Sequence, residues 1–167
     1  MADMLTGPWP SDLLPQGAPV VTRNTLDAEV TPDAVWRALI EAPVWPTFYD
    51  NARDVRLPDG AEALGPDMPF TWRTLGLPVA TLVTDFEAPS FLAWRGDTWY
   101  GRGRHTWLIE PRDGGCRIVT EEVQRGLVPT LAGWWIRPKL LFWHQRWLEG
   151  LVRAASGSTD QSRPAAR

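Results

Sequence analysis

The feature that most constrains this chain is a single change of hydrophobic period. Between Arg53 and Arg125 the sequence breaks into short strand-like pieces at Arg53–Leu57, Met68–Leu75, Pro78–Phe86, Phe91–Arg95, Thr98–Glu110 and Cys116–Arg125. Turn residues punctuate them: Leu57-Pro-Asp-Gly60, Gly76, Ala88-Pro89 and Gly96-Asp97. From about Leu127 to Ala155 the period becomes helical, with Leu140, His144, Trp147 and Leu151 on one stripe, flanked by Leu141, Leu148 and Val152. Pro138 interrupts this run, which predicts a short lead-in helix kinking into a longer one. An antiparallel meander has one apolar face to bury, and one long helix is the element available to cover it. The pattern therefore predicts an α+β fold in which a curved sheet of about seven strands wraps a long C-terminal helix, enclosing a cavity where the sheet curls.

The seventh strand comes from the N-terminal side. Val20–Glu29 is rich in β-branched residues and runs into Thr31-Pro32-Asp33, where Thr31 caps a helix and Pro32 suits its first position. That helix ends near Glu41, before Pro43. The aromatic-rich segment Val44–Asn51, with Pro46 near its start, predicts a second short helix. The domain then spans 19–155, preceded by an irregular arm over 1–18 and followed by a disordered tail over 156–167, which lacks large apolar residues.

One hairpin fixes the candidate site. Asp113-Gly114 is a tight turn, so residues on the two flanking strands pair with position numbers that sum to a constant, Arg112 opposite Gly115. One face then carries Ile109 with Ile118, Trp107 with Thr120, His105 with Glu122 and Gly103 with Gln124. The other face carries Arg104, Arg102 and Arg125 and is expected to meet water. His105 and Glu122 become direct cross-strand neighbours, Cβ atoms about 4.5–5.5 Å apart, on the face toward the pocket. A carboxylate beside an imidazole orients the ring and raises its basicity, giving a general acid/base pair. The same two residues would also serve as a buried polar pair that satisfies itself and pins the register. Gly101 and Gly103 beside them remove side-chain bulk, leaving room for a ligand or letting the strand bend.

His144, on the helix stripe with Leu140 and Trp147, points toward the sheet, where it is either a satisfied core residue or a partner of His105 in one pocket. The chain has 11 tryptophans but two tyrosines. Trp72, Trp94, Trp99, Trp107 and Trp147 fall on strands or the helix stripe, where they either line a cavity for a flat apolar ligand or serve as large core residues. Trp134, Trp135 and Trp143, near Arg137 and Lys139, form an end cap to the pocket or, alternatively, a patch facing a membrane or partner. Thr120 and Gln124 complete the predicted ligand-facing set. No metal is expected: two histidines and one glutamate would have to meet across a wide geometry, and no short-spaced ligand motif is present.

The order of elements, the stretch Gly103–Gly115 (GRHTWLIEPRDGG) leading into Thr120–Pro129 (TEEVQRGLVP), the segment Trp45–Phe48 (WPTF) before Asp54–Leu57, and Glu87–Trp94 (EAPSFLAW) together resemble the START-like or SRPBCC superfamily, in its polyketide cyclase/dehydrase branch. The resemblance covers roughly Val20 to Ala155. It implies a helix-grip fold and a small hydrophobic ligand, polyketide-like or polycyclic, held in an internal cavity and cyclised or dehydrated by acid/base chemistry. It equally implies the noncatalytic members, carriers or sensors of lipids, quinones or isoprenoids. No cofactor is expected on either reading.

Charge and length bear on what remains. Lys+Arg 17 against Asp+Glu 20 gives a net charge of -3, with no basic excess to neutralise phosphates, so nucleic acid is not an expected partner. No run approaches the ~18 apolar residues of a membrane span. The lone Cys116 cannot form an internal disulfide, which points to a reducing, cytoplasmic setting. A weak homodimer is the one self-association the sequence leaves open.

Overall fold

A computed structural model describes residues 8–160 of the chain. Seven strands, β1 (Val20–Ala28), β2 (Arg53–Arg56), β3 (Pro69–Thr74), β4 (Leu77–Glu87), β5 (Phe91–Asp97), β6 (Arg102–Arg112) and β7 (Gly115–Arg125), form one antiparallel sheet in the order β1-β7-β6-β5-β4-β3-β2. The meander from β2 to β7 is closed by β1, which pairs with β7 from Val20 opposite Gln124 to Ala28 opposite Cys116. Two helices pack on the sheet: α1 (Pro32–Ile40) and α2 (Leu127–Asp160). Thr31 caps α1 by accepting from the Ala34 N–H at 3.3 Å, with Pro32 at the first helical position.

The second short helix is present, two residues earlier than expected, as a 3₁₀ helix over Ala42–Thr47, whose two prolines remove the backbone donors a longer helix would need. Local chemistry departs from expectation in the C-terminal helix. Pro138 does not divide the C-terminal helix: α2 is one element of 34 residues with Pro138 inside it. It also continues to Asp160, so the first residues of the anticipated disordered tail are helical. Positions 1–7 of the arm and 161–167 of the tail lie outside the described residues.

The β6–β7 register is the one the turn dictates, with Arg112 opposite Gly115 and His105 opposite Glu122. The concave face meets α1 and α2 through a core in which Leu39, Trp45, Trp107, Ile118, Trp147, Leu148 and Leu151 are fully or almost fully buried. Burying a leucine such as Leu148 or Leu151 contributes about 1.5–3 kcal/mol each, which fixes the rotation of α2 about its axis. Trp45 is the hub of the aromatic packing, its ring 5.0–6.0 Å from those of Phe70, Trp72, Trp94 and Trp147, and its indole N–H donates to the Leu39 carbonyl at 2.9 Å.

The opposite sheet face does not meet water as the hairpin pattern suggested. Arg104, Thr106, Val119, Glu121 and Val123 are all buried there. The N-terminal arm accounts for part of this cover: Leu13 is fully buried, Asp12 pairs with Arg95 at 3.0 Å, and Arg125 donates to the Leu14 and Gln16 carbonyls. The charges on this face are paired, Arg23 with Glu121 at 2.7 Å and Arg104 with Asp85 at 2.9 Å, as charges removed from water must be.

Candidate functional site

Between α2 and the concave face the chain leaves a cavity of about 870 Å³. Two backbone features keep its mouth end in shape. Gly126, at φ 125°, lies so close to the β5–β6 turn that a side-chain carbon there would stand 2.6 Å from Gly101 Cα. At the other wall Gly96 and Gly103 face each other across β5 and β6, thinning the sheet where the cavity begins. Trp72, Trp94, Gly103, Leu140 and Trp147 line the walls, with Trp135, Phe142 and Trp143 of α2.

Four of the polar lining residues form one cluster. β6 supplies His105, β7 supplies Glu122 and Gln124, and α2 supplies His144. His144 Nε2 is 3.0 Å from Glu122 Oε2, whereas His105 Nδ1 stands 3.8 Å from that same oxygen, beyond hydrogen-bond length. The bonded partner of Glu122 is thus the helix histidine, not its cross-strand neighbour. His105 instead shares a 2.6 Å hydrogen bond between its Nε2 and the Thr120 hydroxyl. His144 Nδ1 is 3.3 Å from the Thr22 hydroxyl on β1, and Gln124 donates to Glu122 Oε1. The two imidazole rings stand 4.6 Å apart between centroids. One ligand-type atom from each of His105, Glu122 and His144 lies within 4.8 Å of the others, so the wide geometry anticipated for these three residues is not what the fold produces.

The electrostatics also revise the expected chemistry. Burial lowers the basicity of His105, the charge of His144 lowers it further, and nearby Glu122 only partly offsets this, leaving its pKa at about 3. His105 is a neutral imidazole, not the strengthened base that a neighbouring carboxylate suggested. Burial acts to raise the Glu122 pKa, but the hydrogen bond from His144 and the proximity of the two imidazole rings outweigh it, with Gln124 adding to the effect, and hold it at about 2. Tyr49, stacked on Trp147 at 4.4 Å, is pushed above the usual phenol range mainly by burial and stays protonated.

Three predicted ligand-facing residues take other places. Trp99 is 90% exposed and does not line the cavity: the chain makes a tight turn at Thr98–Gly101, Thr98 N–H to the Gly101 carbonyl at 2.8 Å, which breaks the strand alternation before Trp99. Trp107 and Thr120 point to the concave side but lie beneath the lining, Trp107 packed on Trp147 at 4.9 Å and Thr120 holding His105. Of the proposed end cap, Trp135 and Trp143 line the cavity, Trp135 carrying the Lys139 ammonium 3.4 Å from its ring centre, while Trp134 is 80% exposed. The sequence reading missed Tyr49 and Asn51. They sit in a loop with no periodicity, and the aromatic density of Val44–Asn51 was their one signal.

No family model matches the chain, and no curated protein matches its sequence. Solved structures do. A hypothetical protein from Helicobacter pylori superposes with a TM-score of 0.83 at 26% identity, covering 93% of this chain and 99% of that one. Two di-domain ARO/CYC proteins also match. StfQ of the steffimycin biosynthetic pathway has a TM-score of 0.63 at 13% identity, over 85% of this chain and 51% of that one. BexL of the BE-7585A pathway has 0.65 at 12%, over 89% and 53%. The chain has the helix-grip fold. At 12–13% identity the likeness to the two ARO/CYC proteins is one of fold, with this chain spanning about half of each. No helix among the described residues is long and apolar enough to cross a membrane.

Proposed function

We propose that this START-like chain binds a small hydrophobic molecule of polyketide-like or polycyclic shape and promotes its cyclisation or dehydration by proton transfer at the cavity floor. The observation that carries the reading is the contrast within one cavity: walls that are largely aromatic and aliphatic, and a tight cluster of His105, Glu122 and His144 facing into it. Apolar walls confine a flexible chain in a folded conformation, and confinement supplies much of the acceleration for ring closure. The polar floor then meets whichever oxygen of the ligand reaches it.

The roles follow from the hydrogen bonds. His144, bonded to the Glu122 carboxylate, is the group best placed to hold a proton and deliver it to a carbonyl or departing hydroxyl oxygen. Glu122 stabilises the imidazolium that forms when the proton returns. His105, neutral and anchored by Thr120, orients the ligand oxygen from the opposite side. In a dehydration the C–H proton goes to the His144–Glu122 pair as the carbon–carbon double bond forms, and the pair returns a proton to the departing hydroxyl, which leaves as water. The likeness of fold to two ARO/CYC proteins, of the steffimycin and BE-7585A biosynthetic pathways, supports the choice of ligand class.

A noncatalytic carrier of a lipid, quinone or isoprenoid is favoured by a different observation: Thr22, Thr120 and Gln124 already satisfy much of the cluster without any ligand. Native mass spectrometry of the purified chain, followed by extraction of bound molecules from wild type, His105→Ala and Glu122→Gln, separates the two. The enzyme reading expects a retained compound whose chemical form differs between wild type and Glu122→Gln. The same unaltered compound in all three proteins would make this a carrier.

A further inference from the structure

The geometry points to a mononuclear divalent-cation site at the cavity floor, ligated by His105, Glu122 and His144, with its remaining coordination open to the bound ligand. The inference deepens the cavity reading above and rests on it for what occupies the open position. Two histidines and one carboxylate are a donor set that zinc uses in catalytic sites, where one position is left for water or substrate. With zinc–ligand bonds of about 2.0–2.2 Å, the donor atoms of a tetrahedral ion stand roughly 3.3–3.6 Å apart. Here His144 Nε2 and His105 Nδ1 lie 3.0 Å and 3.8 Å from Glu122 Oε2, and one atom from each residue falls within 4.8 Å of the others. Small side-chain rotations span the difference.

The second observation is independent of these distances. Each of the three residues has its outward atom held by a separate neighbour: His105 Nε2 by Thr120, His144 Nδ1 by Thr22, Glu122 Oε1 by Gln124. Outer hydrogen bonds of this kind fix which nitrogen of a ligating histidine is free and how the ring is turned. Thr22 is also 3.5 Å from the Glu122 backbone carbonyl, so its hydroxyl can pass its own proton there and accept from His144 Nδ1. With its proton on Nδ1, His144 gives up its hydrogen bond to Glu122 and offers Nε2 as a ligand atom toward the floor. The three residues come from β6, β7 and α2, which is why no short-spaced ligand motif announces them. An ion here takes His144 and Glu122 out of direct proton transfer, gives that work to a water on the open position, and polarises a ligand carbonyl as a Lewis acid.

The test uses the full-length chain stripped with a chelator, then titrated with Zn²⁺ by calorimetry and, separately, with Co²⁺ followed by visible absorption. Wild type should take up one Zn²⁺ per chain with micromolar or tighter affinity, and Co²⁺ should give the intense ligand-field bands of a four-coordinate site. Glu122→Gln and His144→Gln should each weaken Zn²⁺ at least tenfold. Thr120→Val, which touches no ion, should weaken it by roughly 10–100-fold as an outer partner. Wild type that takes up no stoichiometric Zn²⁺, or binding unchanged in Glu122→Gln and His144→Gln, overturns the site. The wild-type cobalt spectrum needs no variant, so misfolding of one leaves the test intact: absence of four-coordinate bands also overturns it. The apolar fluorophore ANS, titrated into the metal-free wild type, tests the cavity by itself. Fluorophore uptake without zinc removes the ion site and leaves the cavity reading; zinc uptake without fluorophore removes the cavity reading and leaves the ion site.

Discussion

Thr120 presents nothing to the cavity, yet the candidate site depends on it. Its hydroxyl is the hydrogen-bond partner of a buried His105 nitrogen, at 2.6 Å. Replacing it with the isosteric valine leaves that nitrogen unsatisfied, and a buried unpaired polar group costs about 1–3 kcal/mol. Urea unfolding of Thr120→Val should show a loss of that size with an unchanged denaturant slope; a loss below ~0.5 kcal/mol would mean His105 finds another partner. Trp99 provides the opposite case. Its ring is outside the sheet and in contact with Tyr100, so Trp99→Ser should change stability by less than about 0.5 kcal/mol and leave ANS uptake as in wild type. The sequence put both residues in the ligand-facing set, and neither lines the cavity. Strand alternation identifies a face; it does not show how deep a side chain sits on that face, and it fails wherever a tight turn such as Thr98–Gly101 interrupts the strand.

At the scale of elements, the position of α2 decides whether His144 reaches Glu122. Helical periodicity alone placed His144 with Leu140, Trp147 and Leu151, and all four are buried. The β6–β7 turn alone gave the register that brings Glu122 onto the same side. What neither pattern contains is the distance between helix and sheet, so the bond between His144 and Glu122 was not legible while both of its partners were. Likewise, the hairpin pattern had no term for the N-terminal arm that buries Leu13 and ties Asp12 to the outer face. One contact that sets the depth of α2 is at Gly150, where an added side-chain carbon would lie 2.5 Å from the Phe48 carbonyl oxygen and 3.0 Å from its ring. Gly150→Ala forces the helix or the Ala42–Thr47 segment to move. Overpacking of this kind costs about 1–3 kcal/mol. Differential scanning calorimetry should show Tm falling by about 2–4 °C for each kcal/mol lost. If Tm is unchanged or raised, α2 is not held at Gly150 and its depth is set by the Trp147–Leu151 packing alone.

For the whole molecule, the central fact is that a sheet able to close on α2 leaves a cavity there instead. Native interiors are close-packed, so an opening of this size beside a dense cluster of tryptophans is a feature of the architecture and not slack. The aromatic hub around Trp45 fills the end under α1, and the floor is occupied by polar side chains that cannot collapse into apolar contact without losing their hydrogen bonds. Binding and stability should therefore separate. Gly103 lines the cavity beside the polar floor, and a side-chain carbon built there meets only ordinary contacts, 3.4 Å from Gln124 and 3.7 Å from Glu122. Gly103→Leu places an isobutyl group in the cavity at a strand position where leucine also fits the backbone better than glycine does. Its urea midpoint should equal or exceed that of wild type, while ANS fluorescence in the metal-free protein should fall at least tenfold at equal concentration. Retained fluorophore uptake in a stable Gly103→Leu protein would place the apolar site elsewhere, at the exposed Leu131–Trp134 surface of α2, and would leave the cavity without its assigned role.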